Sequence, residues 1–443
     1  MRAYVAGAGL AGCECAWQLA KRGAEVTLLE MKPLSRISAH HTDFFAELCC
    51  SNSLRGEGVE CAPGLLKEEM RRLESLIIRC ADETRVPAGG ALAVDRDGFS
   101  KAVTAAIRAN PRITVIAREL ESLPGERPLI VATGPLTTDA LARDILRVLG
   151  GEDAKALSFF DASAPLVAAE SIDMQSAYFA SRYGKGGGDY LNCPMDKDEY
   201  TAFWKELCGA ERAQLHAFED EAVFEGCLPV EVMAGRGPDT LRYGPLKPIG
   251  IRDPRTDKGA YAVVQLRRDN AAGSVYNLVG FQTHLTFPEQ RRVFSMIPAL
   301  RNAEFLRFGV MHRNSFIDSP RLLTADFQSR VSPGLYFAGQ LTGVEGYIES
   351  AASGLVAGIC AYSFLSGEKT PVFPPETAVG ALCRYISDPG VKEFQPMNIN
   401  FGLLPPLPGG TVKKGEKKGL LARRALETLG AVIPCLPKGR SSQ

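Results

Sequence analysis

From the N-terminus to Ser158, short continuous apolar runs alternate with amphipathic stretches. Ala3-Tyr4-Val5-Ala6 reads as a buried strand, and Gly7-Ala8-Gly9-Leu10-Ala11-Gly12 follows it without a break. A helical run from Cys15 to Arg22 closes at Gly23, and a second apolar strand, Glu25-Val26-Thr27-Leu28-Leu29, ends on Glu30. Ile113-Thr114-Val115-Ile116 is a further strand, and Leu65 to Ala81 carries apolar residues at helical spacing. Apolar strands alternating with amphipathic helices predict a parallel sheet covered on both faces. The strand-into-glycine pattern returns twice, at Leu129-Ile130-Val131-Ala132-Thr133-Gly134-Pro135 and at Gly334-Leu335-Tyr336-Phe337-Ala338-Gly339-Gln340. After the second come a glycine-rich turn, Gly343-Val344-Glu345-Gly346-Tyr347, and a small-residue helix from Glu349 to Gly354.

The strand, Gly-x-Gly-x-x-Gly and helix at the N-terminus form a dinucleotide-binding pattern. Gly7 permits the tight turn, Gly9 lets backbone N–H groups approach a pyrophosphate, and Gly12 lets the helix pack closely. Ala8, Leu10 and Ala11 complete the loop, and the helix N-terminus offers the positive end of its dipole to phosphate. Glu30, the last residue of the second strand, stands where a carboxylate accepts ribose hydroxyls. Thr133, Gly134, Gly339, Gly346, Tyr347 and Ser350 belong to the later segments. A nucleotide site assembled from the first and last thirds of a chain resembles the FAD-binding domains of the glutathione-reductase class. No second Gly-x-Gly-x-x-Gly occurs in the middle, which disfavours a separate nicotinamide domain. The expected fold is α/β, a Rossmann-like FAD-binding domain of glutathione-reductase type with an inserted α+β domain.

Past Ser158 the texture changes to aromatic, β-rich segments with long polar loops. Helical patterns at Asp198–Cys208 and Gln214–Val223 interrupt them, and Ala262–Leu266 and Tyr276–Gly280 read as strands of a separate sheet. The expected organisation is 1–157 for the first part of the FAD-binding domain, 158–300 for the inserted substrate domain and 301–370 for the second part. From Pro371 the chain turns Pro- and Gly-rich and then basic, so 371–443 reads as a wrapping, RNA-contacting extension.

Composition narrows the class. The chain has 443 residues, 45% hydrophobic and 23% charged, with formal net charge zero, so a polyanion has to be met by a local basic patch. The first strand starts at the N-terminus, leaving no room for a leader, and a cytoplasmic location is expected. The charge-free run from Ser350 to Gly367 suits a buried helix better than a membrane span. Twelve cysteines without regular spacing point to reduced thiols. With no Cys-x-x-Cys, no metal site is expected, and Cys13 and Cys15 read as packing residues of the first helix.

Two cysteine segments lie outside the nucleotide pattern: Glu47-Leu48-Cys49-Cys50-Ser51-Asn52 and Glu225-Gly226-Cys227-Leu228-Pro229. A thiolate is a strong nucleophile when cations or helix N-termini lower its pKa. Taken one at a time, such cysteines are more often buried packing residues.

Longer strings change that balance. Residues 33–43 (PLSRISAHHTD), 45–55 (FAELCCSNSLR), 86–96 (VPAGGALAVDR) and 189–195 (DYLNCPM) resemble the bacterial folate- and FAD-dependent tRNA (uracil-5-)-methyltransferase family. So do 224–231 (FEGCLPVE), 244–250 (GPLKPIG), 261–267 (YAVVQLR), 309–314 (GVMHRN) and 343–354 (GVEGYIESAASG), and the likeness runs to about residue 430. The resemblance implies C5 methylation of the tRNA T-loop uridine at position 54. The carbon would come from 5,10-methylenetetrahydrofolate, the electrons from reduced FAD, with NAD(P)H as external reductant. It implies Cys227 as nucleophile and Cys50 as base or second thiol, with the roles exchangeable. Cys49 is an additional thiol beside the expected one.

The resemblance also puts His312 against the folate pteridine, with Arg313 and Arg267 for its carboxylates. His40 and His41 stand in the loop leading to Cys50, either lowering its pKa or capping a turn. Lys413, Lys414, Lys417, Lys418, Arg423 and Arg424 crowd six cations into one short stretch, a phosphate-contacting pattern or a solvated helix face. Four other readings stay open: the same chemistry on ribosomal RNA, a wobble-uridine tRNA modification enzyme, a small-molecule FAD oxidoreductase, or a non-enzymatic flavoprotein. The wobble-uridine enzymes resembled are longer at the C-terminus. Nothing in the sequence reads on oligomeric state.

Overall fold

Five parallel strands form the sheet that the apolar runs predict: β1 (Arg2–Ala6), β2 (Glu25–Glu30), β3 (Ile113–Ala117), β4 (Leu129–Val131) and β5 (Leu335–Phe337). Their spatial order is β5-β4-β1-β2-β3, so the last strand in sequence closes the edge beside β4. Ala6 lies opposite Leu29 on one side and Val131 on the other, and Val131 lies opposite Phe337. This register ends four strands at one edge, where Gly7, Glu30, Thr133 and Gly339 all emerge. The structure is a computed structural model describing residues 1–37, 39–150, 157–184, 187–213, 228–391, 394–408 and 415–439, without the side chains of 157–162 and 311–313.

Helix α1 (Leu10–Lys21) packs along helix α2 (Tyr347–Ser366), and glycine makes that possible. A Cβ at Gly354 would stand 2.1 Å from the Ala11 carbonyl oxygen, and one at Gly358 2.8 Å from that of Cys15. Two glycines one turn apart therefore let backbone meet backbone across the seam. Among the described residues α2 is the one helix long and apolar enough to cross a membrane, but 89% of its apolar window is buried in the protein. Cys13 and Cys15 are buried in the same core, and burial raises both thiol pKa values.

The helix expected over 65–81 is two helices, Ala62–Arg72 and Leu76–Glu83. Glu74 between them takes φ +58°, and Ser75 caps the second helix through Ile78 N–H. Glu14, fully buried in α1, supplies the rest of the cap: Oε2 accepts from Ser75 Oγ at 2.6 Å and Ile77 N–H at 2.9 Å. A buried carboxylate that needs donors thus breaks a stretch whose apolar spacing reads as continuous.

A second, antiparallel sheet runs in the order Tyr178–Ala180, Tyr190–Met195, Ala262–Arg268, Val275–Leu278, Leu166–Ala168 and Phe305–Arg307. It packs over its own core, which includes Phe203, Phe281 and Phe294. The strands Leu157–Ala162 and Met311–Phe316 pair antiparallel at the junction of the two sheets. The helical pattern at Gln214–Val223 lies outside the described residues.

Residues after 371 wrap back onto the first sheet's helices. Glu69 caps the helix Ala378–Tyr385 by accepting from Ala378 N–H at 2.8 Å and Val379 N–H at 2.9 Å. Asn398 Nδ2 donates to the Glu345 carbonyl at 2.6 Å, fixing the glycine-rich turn that starts α2. Helix α3 (Lys417–Val432) follows, and Arg22 Nε donates to the Pro437 carbonyl at 3.2 Å.

The seam sets a sign test. By helix propensity alone, Gly354→Ala would add about 1 kcal/mol of stability. Overpacking typically costs about 1–3 kcal/mol, and the atom struck is backbone, which cannot swing aside. Gly354→Ala is expected to lower the thermal midpoint, measured by calorimetry; a raised midpoint would show that the helices are not in close contact.

Candidate active site

At the shared edge of the sheet the turns enclose an elongated cleft of about 1430 Å³, its open mouth included. Gly7, Ala8, Gly9, Leu10, Ala11, Glu30, Thr133, Gly134, Gly339, Tyr347 and Ser350 all line it. Gly12 and Gly346, expected to bind cofactor, stand behind it. A Cβ on Gly12 would meet the Gly7 carbonyl oxygen at 1.8 Å, and Gly346 holds φ +110° against Glu349. Both shape the turns and leave contact to their neighbours.

The cleft fits an FAD. Gly7 takes φ +95°, and a Cβ at Gly9 would meet nothing within 4 Å, so its backbone is bare toward the cleft. No side chain caps the N-terminus of α1 or of α2, which leaves first-turn N–H groups of both helices for an anion or carbonyl ligand. Glu30 Oε2 accepts from Ala8 N–H at 2.6 Å and Oε1 from Lys32 N–H at 3.0 Å. Each oxygen keeps a lone pair for a ribose hydroxyl.

Cys49 and Cys50 line the same cleft. Their loop is held from several sides. Tyr347 Oη accepts from Cys50 N–H at 2.7 Å and Ser51 N–H at 3.2 Å. Asn52, fully buried, donates through Nδ2 to the carbonyls of Val94 at 2.9 Å and Arg268 at 2.8 Å. Arg96 donates to the Leu48 carbonyl and grips Asp269 with two bonds, at 2.9 and 2.8 Å. Glu47 accepts from His41 N–H at 2.8 Å and pairs with Lys32 at 3.6 Å.

The two thiols are not alike. Burial, helped by Glu47, pushes the Cys49 thiol up to about 11, so at neutral pH it stays protonated. Cys50 is half-buried and lies within electrostatic reach of Arg96 and Arg307. Of the two readings left open for His40 and His41, a source of positive charge is the one the surroundings disfavour. Burial first, then Lys32 for His40 and Arg307 for His41, lowers both pKa values and favours neutral imidazole. The cations here are arginines.

Arg267 also departs from expectation. It is 6% exposed, with Nε on Asn52 Oδ1 at 2.9 Å and Nη2 on Ser51 Oγ at 2.8 Å. Those donors build the Cys50 loop, so the guanidinium is committed to the loop's own side chains. Arg424 donates to the carbonyls of Pro405 at 2.6 Å and Pro406 at 2.9 Å, pinning the chain before α3. Lys417, Lys418 and Arg423 are exposed on that helix. Cys227, Lys413 and Lys414 lie outside the described residues, as do the side chains of His312 and Arg313. The backbone pairs His312 with Asp161 and Arg313 with Phe160.

Sequence reading missed Arg96, Asp269 and Arg307. Arg307 had a signal: one charge in the otherwise apolar run Phe305-Leu306-Arg307-Phe308-Gly309-Val310.

Comparison with known proteins bears on this cleft. A family model described as glucose inhibited division protein A matches residues 2–369. The protein named methylenetetrahydrofolate--tRNA-(uracil-5-)-methyltransferase TrmFO from Acetivibrio thermocellus is 57% identical over 425 residues, covering 96% of this chain and 97% of its own. Its namesake from Listeria innocua is 55% identical, covering 97% and 98%. The chain belongs to the TrmFO family. Among solved structures, Aquifex aeolicus GidA superposes with TM-score 0.68 at 15% identity, across 97% of this chain but 74% of that one. That likeness shows the fold alone, and the near-complete mutual coverage is with the TrmFO proteins.

The glycine loop gives a paired test. Gly9→Val is expected to yield folded but colourless protein, because the side chain fills cleft space without touching the fold. Absorbance near the flavin bands and calorimetry check it; a yellow Gly9→Val protein would remove the cleft assignment. Gly12→Ala, whose Cβ strikes backbone, is expected to lose thermal stability as well as flavin.

Proposed function

We propose that this chain methylates C5 of uracil in tRNA, taking the carbon from 5,10-methylenetetrahydrofolate. The observation that carries the reading is that the loop of Cys50 lines the dinucleotide cleft itself, tied by its backbone to Tyr347 at the start of α2. A methyl transfer that begins with thiolate addition to uracil needs a thiol at that place.

Uracil C5 is a poor nucleophile until something adds at C6. In the proposed sequence the Cys227 thiolate forms a bond to C6, and the C5=C6 electrons move toward the C4 carbonyl as an enolate. C5 then bonds to the folate methylene carbon as one C–N bond to that carbon opens. Cys50 takes the C5 proton as the second C–N bond breaks and releases tetrahydrofolate, leaving a methylene at C5, and hydride addition to that methylene expels the Cys227 thiolate from C6. FAD, when bound and reduced, would be the source of that hydride, and the product is 5-methyluridine. Glu30, the glycine loop, Thr133, Gly134, Gly339 and Ser350 would hold the FAD, and NAD(P)H would re-reduce it. Arg96 and the Tyr347 hydroxyl keep Cys50 in position, while burial keeps Cys49 out of the chemistry.

The proposed target is the T-loop uridine at position 54, extruded from the tRNA fold to reach the cleft. His312 would face the pteridine, with Arg313 toward the folate carboxylates. Lys417 and Lys418 sit in the first turn of α3, where like charge meets the positive end of the helix and costs about 0.3–1 kcal/mol. Cations retained against that cost suit phosphate, with Lys413, Lys414 and Arg423 beside them, in the cytoplasm where tRNA and folate meet.

With tRNA carrying 5-fluorouridine, the unsubstituted protein is expected to form a covalent adduct, since fluorine cannot leave as a proton does. Cys227→Ala should lose both adduct and methylation while keeping FAD. Cys50→Ala should lose methylation and keep the adduct, and Cys49→Ala should stay within about twofold of wild type, as expected for a protonated packing neighbour. Full methylation by Cys227→Ala, read by mass spectrometry of tRNA digests, would sink the reading; exchanged phenotypes would exchange the two roles.

A further inference from the structure

Tyr183 stands in the loop between the first two strands of the second sheet and keeps its ring at the surface against the preference of its backbone. It is 61% exposed, yet it takes φ +59° and ψ 26°, a left-handed conformation that tyrosine adopts only under constraint. Three contacts impose it. The Tyr183 N–H donates to the Gly250 carbonyl at 2.6 Å. Gly250 has φ +83°, and a Cβ there would stand 2.5 Å from the Tyr183 ring, so the ring lies flush on bare backbone. Arg182 donates to the carbonyls of Ile249 and Lys247, the latter at 2.9 Å, and clamps the two loops together. A ring mostly in water returns little packing energy for that strain, so stability does not account for it. Strain kept without such a return points to a ligand.

We propose that the Tyr183 ring is a stacking platform for an unpaired base of the tRNA, next to the uridine that enters the cleft; the proposal rests on tRNA being the substrate, as above. The charge around the ring suits RNA. Arg182 bonds only neutral acceptors, the two carbonyls and Gln265 Oε1 at 3.5 Å, and Lys247 stands on the loop that Arg182 clamps. Among the described residues neither cation has a carboxylate partner, so both charges are left for phosphate. The place suits it too. Gln265 and Arg267 are alternate residues of one strand, so they share a face of the sheet roughly 7 Å apart. Arg267 bonds Ser51 Oγ at 2.8 Å, next to Cys50, so the clamp and the thiol loop hold neighbouring positions on that face. At the far end of the Tyr183 loop, Asp189 accepts from Gly89 N–H at 2.7 Å and ties it down. Extruding a uridine strips its neighbours of a stacking partner, and a tyrosine face replaces that partner without reading sequence.

The test measures Kd for an unmethylated tRNA transcript on FAD-loaded protein across a salt series, comparing wild type with Tyr183→Gly, Tyr183→Phe and Lys247→Gln. Tyr183→Gly is expected to weaken binding by about 5–30-fold at every salt concentration. Its thermal midpoint should hold or rise, because glycine takes a positive φ freely. Tyr183→Phe keeps the ring face and should stay within about twofold of wild type. Lys247→Gln should weaken binding and lower the slope of log Kd against log salt by about one. Wild-type affinity in Tyr183→Gly would overturn the platform. So would an equal loss in Tyr183→Phe, which means that the hydroxyl acts, or a fallen midpoint in Tyr183→Gly, which means a structural ring. Weakened methylenetetrahydrofolate binding with tRNA binding intact would overturn it in favour of a folate contact, and a changed molar mass with tRNA binding intact in favour of an interface between copies. An unchanged salt slope in Lys247→Gln would overturn the phosphate contact. Wild-type protein that binds tRNA through Tyr183 but forms no 5-methyluridine would reject the methyl-transfer reading and uphold the platform; wild-type protein that binds no tRNA would reject both.

Discussion

The close approach of α1 and α2 is the constraint on which the site depends. Both helices must start at the same cleft although one opens the chain and the other lies in its last quarter. Gly354 and Gly358 remove the side chains that would hold the axes apart, and the backbone of Ala11 and Cys15 fills the space. That distance fixes where Tyr347 begins α2, and Tyr347 in turn fixes the backbone of Cys50 and Ser51. Nucleotide turn, thiol loop and helix start form one rigid chain of contacts, so an error of one carbon at the seam would be felt at the sulfur.

Polar groups buried along that chain of contacts are almost all occupied, and the occupation explains the geometry. Glu14 and Glu69 each commit a buried carboxylate to the N-terminus of a distant helix, and burial drives both pKa values up, that of Glu69 to about 7. The several bonds that each carboxylate accepts offset part of that desolvation, and burial still outweighs them. Lys67 does the converse, giving its ammonium to the carbonyls of Leu54 and Gly56 at 2.8 Å and of Pro63 at 3.0 Å.

The sheet and its turns were legible because they are local. Continuous apolar runs, glycines at fixed offsets and an acidic residue at the end of the second strand each report on their own neighbourhood, and the register then brings them to one edge. The helix break at Glu74–Ser75 was not legible, since its cause is Glu14, far earlier in the chain and on another helix. The same limit hid the electrostatics of Cys50. Histidines adjacent in sequence looked like the natural cations, but burial favours their neutral form, while the arginines within electrostatic reach of Cys50, Arg96 and Arg307, come from two distant elements. Arg267 was read as a folate contact because its partners, Ser51 and Asn52, lie more than 200 residues earlier in the chain and meet it only in the fold.

The C-terminal segment shows how a feature that reads as accessory becomes part of the site. Its cations suggest a simple electrostatic tail, yet Phe394 packs into the space beside Gly343, where a Cβ would lie 2.4 Å from the ring. Met397 and Asn398 bond the backbone of Gly343 and Glu345, and Ile399 N–H reaches Glu349. The turn that starts α2 is therefore braced by residues beyond 390. An RNA engaging the exposed lysines of α3 would pull on the segment that braces Tyr347, and through it on the backbone of Cys50. The segment before the basic helix is pinned by Arg424 to Pro405 and Pro406 and also fixes the turn before Tyr347, so the exposed lysines stand on a braced element rather than on a free tail.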